Sequence, residues 1–257
     1  MPKHDWRKMV RSCLLGAAIF WVGSSGIGAH PQQPQGPTVS AEVRIVQRAN
    51  KAKVAQVVTD FSDVVVWLVP LDKSGAAEDT VAAKTIPKLV QRDEMFEPHL
   101  LVIQAGSLVE FPNKDPFFHN VFSLFDGKRF DLGLYEAGTS KTVRFDRVGV
   151  SFIFCNIHEN MNAIIVSVPS AYFAKTDAAG HLKIANVPNG RYEMHVWYER
   201  SSAEDLKNLD RNVTISESSR TLDPIQILYD PGLNLTHKNK YGQDYVPPAS
   251  SPGSAYP

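Results

Sequence analysis

From residue 99 onward, apolar and polar residues alternate in short runs: HLLVI (99–103), LVEFPN (108–113), HNVFSLF (119–125), KTVRFDRVG (141–149), VSFIFC (150–155) and AIIVSVP (163–169). A period of two means one face buried and one wet, so each run predicts a β-strand. Turns separate them, at Gln104 to Ser107 and at Asp126-Gly127. A second group of runs follows: FAKTD, HLKIANV, RYEMHVWYE, NVTI and PIQIL, punctuated by Ala178-Ala179-Gly180 and Pro188-Asn189-Gly190. Two more stretches stand upstream, AEVRIV (41–46) and DVVVWLVPL (63–71), dense in β-branched residues. Helical periodicity is nearly absent, with SSAEDLKNL (201–209) the one short helix expected. Residues 72–86 are small and polar and suit a connecting loop. Many short strands with Gly, Asn and Asp turns indicate an all-β protein built from β-sandwiches.

At 257 residues the chain has room for two modest domains. Twenty-seven basic side chains balance twenty-seven acidic ones, so the electrostatic footprint of a nucleic-acid binder is missing and that class of partner is set aside. The first 29 residues read as a secretory signal: Lys3, Arg7, Lys8 and Arg11 precede the apolar run from Leu14 to Val22, and small residues follow to Ala29. The run is shorter than the roughly 20 residues a membrane span needs, so cleavage near His30 is expected, with no transmembrane segment afterwards and an exported, periplasmic or equivalent, location. Cleavage removes four basic side chains and one acid, leaving the rest slightly acidic. Residues 30–39, rich in Pro and Gln, read as a flexible leader, and the tail over 230–257 as disordered.

Cysteine usage sharpens the picture. Of two cysteines, Cys13 lies in the signal, so the mature chain keeps only Cys155. A lone cysteine in an oxidising compartment is an intermolecular bridge, a reactive thiol or a metal ligand. Its context, F-C-N-I-H-E-N-M, puts a thiolate, an imidazole (His158) and a thioether (Met161) on one short loop between two strands. A second imidazole, His119, lies 36 residues upstream at the start of another strand, where a sandwich can bring it to the same end. Two His, one Cys and one Met are the donors of a trigonal copper site with a weak axial thioether. Sulfur donors suit Cu(I) and imidazoles also suit Cu(II), whereas zinc more often takes another hard ligand than a methionine.

Residues 94–168 resemble the cupredoxins of the plastocyanin and amicyanin type, through F-E-P-H-L-L-V-I-Q-A-G-S-L-V-E-F-P-N, then His119-Asn120-Val121, then G-V-S-F-I-F-C-N-I-H-E-N-M. The C-x2-H-x2-M spacing is similar to amicyanin's short ligand loop. The resemblance implies a Greek-key sandwich holding one type 1 (blue) copper ion on His119, Cys155, His158 and Met161. It also implies that Asn120, in the outer shell with Asn156, ties the two ligand segments together. Asn156 and Glu159 depart from the proline usual in such loops, and the stretch from Asp126 to Ser140 has its own character. With FDLGLY, TD-x-x-G and VP-x-G-x-Y, the chain also looks like exported proteins labelled methylamine-utilisation or plastocyanin-like. FAKTDAAGHLKIANVPNGRYEMHVW resembles the carboxypeptidase regulatory-like, prealbumin-like sandwich.

The implied organisation is a signal (1–29), N-terminal strands (38–71), a cupredoxin domain (87–168), a regulatory-like β-domain (169–229) and a tail (230–257). The visible part of the regulatory-like fold lacks its first two strands, which residues 41–71 can supply if the cupredoxin is inserted into that host. The expected function is single-electron transfer by Cu(I)/Cu(II) cycling, with a redox protein such as a c-type cytochrome or a dehydrogenase as partner. Pro116, Phe117 and Phe118 form a docking rim in that reading, or simple packing. The alternatives are a copper carrier, buffer or sensor, and an extracellular binding module. A multicopper enzyme needs histidines beside the blue-copper cysteine, but Phe154 and Asn156 flank Cys155 and no His-x-His occurs, so a non-enzyme is expected. His99 and His195 read as structural or exposed, Trp67 and Trp197 as core, and Asp177 as a turn former.

Overall fold

The computed structural model describes residues 37–47, 58–72, 85–124, 127–233 and 238–245. The signal segment with Cys13, the start of the leader and most of the loop at 72–86 lie outside the described residues. The fold is all-β, with one short helix among the described residues. No helix among them is long and apolar enough to cross a membrane.

Strand β1 (Val39–Gln47) buries every second side chain, Val39, Ala41, Val43 and Ile45, as its alternating sequence requires. It therefore begins inside the stretch read as a flexible leader: Val39 is fully buried, and the Val187 amide donates to the Pro37 carbonyl. β2 (Val65–Pro70) precedes the middle of the chain, and β12 (Phe173–Lys175), β13 (His181–Ile184), β14 (Gly190–Trp197), β15 (Arg211–Ile215) and β16 (Ile225–Tyr229) follow it. β1 lies between β13 and β16, parallel to the latter, while β2 lies between β12 and β14 in an antiparallel sheet completed by β15. Among the described residues, the two upstream stretches thus pair with C-terminal strands and with no strand of the middle region. Their buried faces meet in one core of Val43, Val66, Leu68, Ile184, Met194, Ile215 and Ile227.

The turn after β12 fixes one close approach. Asp177 Oδ1 accepts from the amides of Ala179 and His181, as its turn-forming reading implies. Gly180, at φ +84°, brings its backbone against Val43, whose carbonyl a Cβ would meet at 2.2 Å. The helix, α1 (Ala203–Lys207), starts at Ser202, whose Oγ accepts from the Asp205 amide.

The middle region builds its own sandwich. β5 (Leu100–Gln104), β11 (Asn162–Val168), β10 (Gly149–Cys155), β7 (His119–Ser123) and β8 (Phe130–Tyr135) form a five-stranded sheet in that order, β5 and β11 parallel and the remaining pairs antiparallel. The facing layer comprises the hairpin β3 (Val90–Arg92) and β4 (Met95–Glu97) and the pair β6 (Leu108–Pro112) and β9 (Ser140–Arg144), bridged at Gln91 and Asn113. Leu89, Phe96, Val109, Phe111, Phe145, Ile153 and Ile165 fill the space between them. FDLGLY becomes β8, so part of the distinctive stretch is a sheet edge.

β11 departs from strict alternation, being buried on both faces. Ala163 and Ile165 face the middle core, while Ile164, Val166 and Val168 pack with Val65, Trp67, Phe173 and Trp197 of the β2–β12–β14 sheet. Trp67 and Trp197 are half-buried at this seam between the sandwiches. His99 and Glu199 form an ion pair across it at 3.0 Å. His195 stacks on Trp67 and lies 3.0 Å from Asp210, as a structural side chain would.

Candidate metal centre

Two segments carrying candidate ligands reach the same end of the middle sandwich because β7 and β10 are neighbours, with Cys155 opposite Val121. His119 is the first residue of β7, delivered by the loop Asn113 to Phe118. Asn113, fully buried, organises that loop: its Nδ2 donates to the Phe117 carbonyl at 2.8 Å and its Oδ1 accepts from the Asp115 amide at 3.0 Å. Cys155 ends β10, and the turn to β11 is closed by two backbone bonds, from the Cys155 amide to the Met161 carbonyl and from the Met161 amide to the His158 carbonyl.

His119 Nδ1 and His158 Nδ1 each lie 3.7 Å from Cys155 Sγ, and the three donors sit within 4.8 Å of one another. His119 and Cys155 are fully buried, while the His158 side chain is 22% exposed. Met161 is also fully buried in the core that contains Cys155. A trigonal ion with bonds of about 2.0 Å to nitrogen and about 2.3 Å to sulfur requires a nitrogen-to-sulfur separation of about 3.7 Å. The donor set therefore fits a small metal ion.

Cys155 and His119 are shifted in opposite senses for binding, the thiol toward the form a metal takes and His119 toward the imidazolium that must first lose a proton. Burial pushes the Cys155 thiol up, but hydrogen bonds from His119 and His158 and from the amides of Asn120 and Ile157 outweigh it and bring the thiol down to about 5. The thiolate is the form a metal takes. Burial disfavours charge on His119, yet Cys155 and Asp115 on its two sides hold its value above that of ordinary histidine. Asp115, absent from the residues singled out in the sequence, lies 2.7 Å from His119 Nε2 and accepts from the amides of Asp93 and Glu94. It is itself buried, which raises its pKa, but His119 and those amides hold it below the usual carboxylate range. A carboxylate on Nε2 keeps that nitrogen protonated and leaves Nδ1 to face the sulfur. The signal for it was an acid four residues before His119.

Asn120 and Asn156 join the two ligand segments through the main chain, the Asn156 amide donating to the Asn120 carbonyl at 3.2 Å. The Asn120 side chain turns elsewhere: Nδ2 donates to Asp131 at 2.7 Å, and Oδ1 has no partner among the described residues. Pro116, Phe117 and Phe118 are all exposed, and the Phe117 ring lies 5.2 Å from the His119 ring and 5.7 Å from that of His158.

The tail requires a correction. Disorder was expected over 230–257 because the segment has little to bury, but residues 238–245 pack beside the ligand loop through polar contacts. The Lys240 amide donates to Asn156 Oδ1 at 3.0 Å, Lys240 Nζ pairs with Asp131 at 2.8 Å, and the Tyr245 hydroxyl donates to the Cys155 carbonyl at 2.6 Å. Burial holds the Tyr245 phenol above its ordinary value, so it remains a donor.

Fold and site together define an all-β protein of two sandwiches, one of which carries a largely buried His-Cys-His cluster able to hold a metal ion. No protein-family model and no curated protein matches the chain. Among solved structures, a purple cupredoxin from Nitrosopumilus maritimus is similar at 20% identity, covering 32% of this chain and 98% of that one with a TM-score of 0.29. A reduced mutant amicyanin is similar at 19% identity over 39% of this chain and 98% of its own, TM-score 0.30. A copper-containing nitrite reductase from Thermus scotoductus SA-01 is similar at 26% identity, covering 38% of this chain and 27% of that one, TM-score 0.32.

Proposed function

We propose that this chain is an exported type 1 copper protein that passes single electrons, holding one copper ion on His119, Cys155, His158 and Met161. The observation that carries the reading is the pair of imidazole Nδ1 atoms, each 3.7 Å from the buried Cys155 sulfur. When bound, copper supplies one-electron chemistry between Cu(I) and Cu(II). The residues supply the rest. Sulfur and nitrogen donors together serve both oxidation states, and Asp115 keeps His119 oriented. A ligand set held by a β-sandwich core moves little between those states.

His158 is the ligand that meets solvent; the Phe117 ring lies 5.7 Å from it, and Phe117 with its exposed neighbours Pro116 and Phe118 forms the apolar rim in this reading. In this reading a redox partner, such as a c-type cytochrome or a dehydrogenase, docks there and exchanges electrons through the imidazole edge. No substrate-transforming group accompanies the site in this proposal, so the chain acts as a carrier of electrons and not as an enzyme.

Titration of the purified chain with Cu(II), followed by absorption and EPR, tests the reading. An intense thiolate-to-copper band with narrow hyperfine splitting, bleached reversibly by a mild reductant and lost in Cys155→Ser, is the expected result. Copper uptake indifferent to Cys155 would overturn it, and a thiolate-dependent Cu(I) complex that cannot be reoxidised would leave a carrier or buffer instead.

A further inference from the structure

We propose that residues 238–245 form a strap that holds the copper-ligand loop in place, and that Tyr245 is a positioning residue for Cys155. The proposal rests on reading Cys155 as a metal ligand and adds a device to that site. Three contacts carry it. The Tyr245 hydroxyl donates to the carbonyl of Cys155 itself, and the Lys240 amide donates to the side chain of the next residue, Asn156. Lys240 Nζ pairs with Asp131, whose other carboxylate oxygen accepts from Asn120 beside His119. The strap therefore grips both segments that present ligands, 36 residues apart in sequence.

Its own shape is set locally. Asn239 Oδ1 accepts from the amides of Tyr241 and Gln243, and the Asn239 amide donates to the Gln243 carbonyl. This turn places Lys240 and Tyr245 toward the loop together. The Lys240–Asp131 pair is firm on both sides: the partner carboxylate raises Lys240, and Lys240, Asn120 and the Gly133 amide hold Asp131 low against the opposing effect of burial. The contacts are polar and charge-assisted, a kind that keeps a segment ordered without an apolar face.

A hydroxyl donating to the Cys155 carbonyl has two consequences for a metal on its sulfur. It restrains rotation of the residue that sets the sulfur's direction. It also aims a positive dipole at the site, which favours the less charged oxidation state and raises the reduction potential.

Three forms of the chain test this: Tyr245→Phe, Lys240→Met, and a chain ending at Leu233. In the metal-free proteins, amide hydrogen exchange at Asn156 and Ile157 is expected to be several-fold faster in all three than in the parent, with β5 and β11 unchanged. With copper bound, Tyr245→Phe is expected to shift the thiolate band and lower the potential while keeping full metal occupancy. Unchanged exchange at the loop together with an unchanged spectrum and potential overturns the strap. A parent chain that takes up no copper overturns the function proposed above, and the metal-free exchange still decides the strap.

Discussion

At the residue scale, the grouping of Cys155 and His158 was legible because it is local: both lie on one turn between strands, with Met161 closing it, and proximity in sequence there is proximity in space. His119 was readable from its motif. Asp115 was not, because an acid four residues before a histidine is ordinary in a loop and only the buried turn organised by Asn113 aims it at Nε2. Replacing Asp115 with Ala should lower copper affinity about 10- to 100-fold, as loss of such supporting groups does, while Asp115→Asn should cost less because an acceptor remains. Competition with a chromophoric copper chelator measures both.

The His99–Glu199 pair gives a pH dependence. The Glu199 carboxylate raises His99 above 6.5, against the opposing effect of burial. A raised histidine stabilises the fold fully below its unfolded value of 6.5, and that contribution is lost as pH rises through the higher folded value. The pair is partly solvent-exposed, so its worth is under about 1 kcal/mol. Denaturant titrations at pH 5.5 and 8.5 should show a parent-minus-His99→Gln difference at the lower pH that shrinks at the higher.

At the scale of elements, alternation identified most strands, because most have one wet face. It failed to describe β11, where AIIVSV is covered on both sides by two different cores. Periodicity reports that a face is buried, not what buries it, and here the cover comes from β2, far upstream in sequence, as well as from β12 and β14. The difference is measurable at Ile164, which points away from the middle core and yet is 1% exposed. Ile164→Ala should cost about 2–5 kcal/mol in denaturant unfolding, the range for a truncated core side chain, against less than about 0.5 kcal/mol for an exposed position. The tail was misread for the opposite reason: Lys240 and Tyr245 carry no periodic pattern, and the groups that hold them are more than 80 residues upstream.

At the scale of the whole molecule, the middle sandwich lies in sequence between the parts of another, since among the described residues β1 and β2 pair with strands that follow it. The insertion reading predicts that the host survives excision. Joining residue 72 to residue 170 with a short Gly/Ser linker should leave a cooperatively folding β protein whose Val43 and Ile227 amides remain protected, and a chain that stays unfolded would count against separate domains. The cost to weigh is the seam: Val65, Trp67, Phe173 and Trp197 lose their cover, so reduced stability accompanies the separation.

The parallel pairing of β1 with β16 has a further consequence, for the order in which the chain can fold. One partner is complete when residue 47 has been made, the other only at residue 229, so the outer sandwich has to wait for nearly all of the chain. The middle one has every strand by residue 168. Long-range pairing of this kind is slow because the intervening loop must close before any contact rewards it. During synthesis, the middle sandwich with its His-Cys-His cluster is free to form first, with β1 waiting as an unpaired edge that invites association with other chains until its last neighbour arrives.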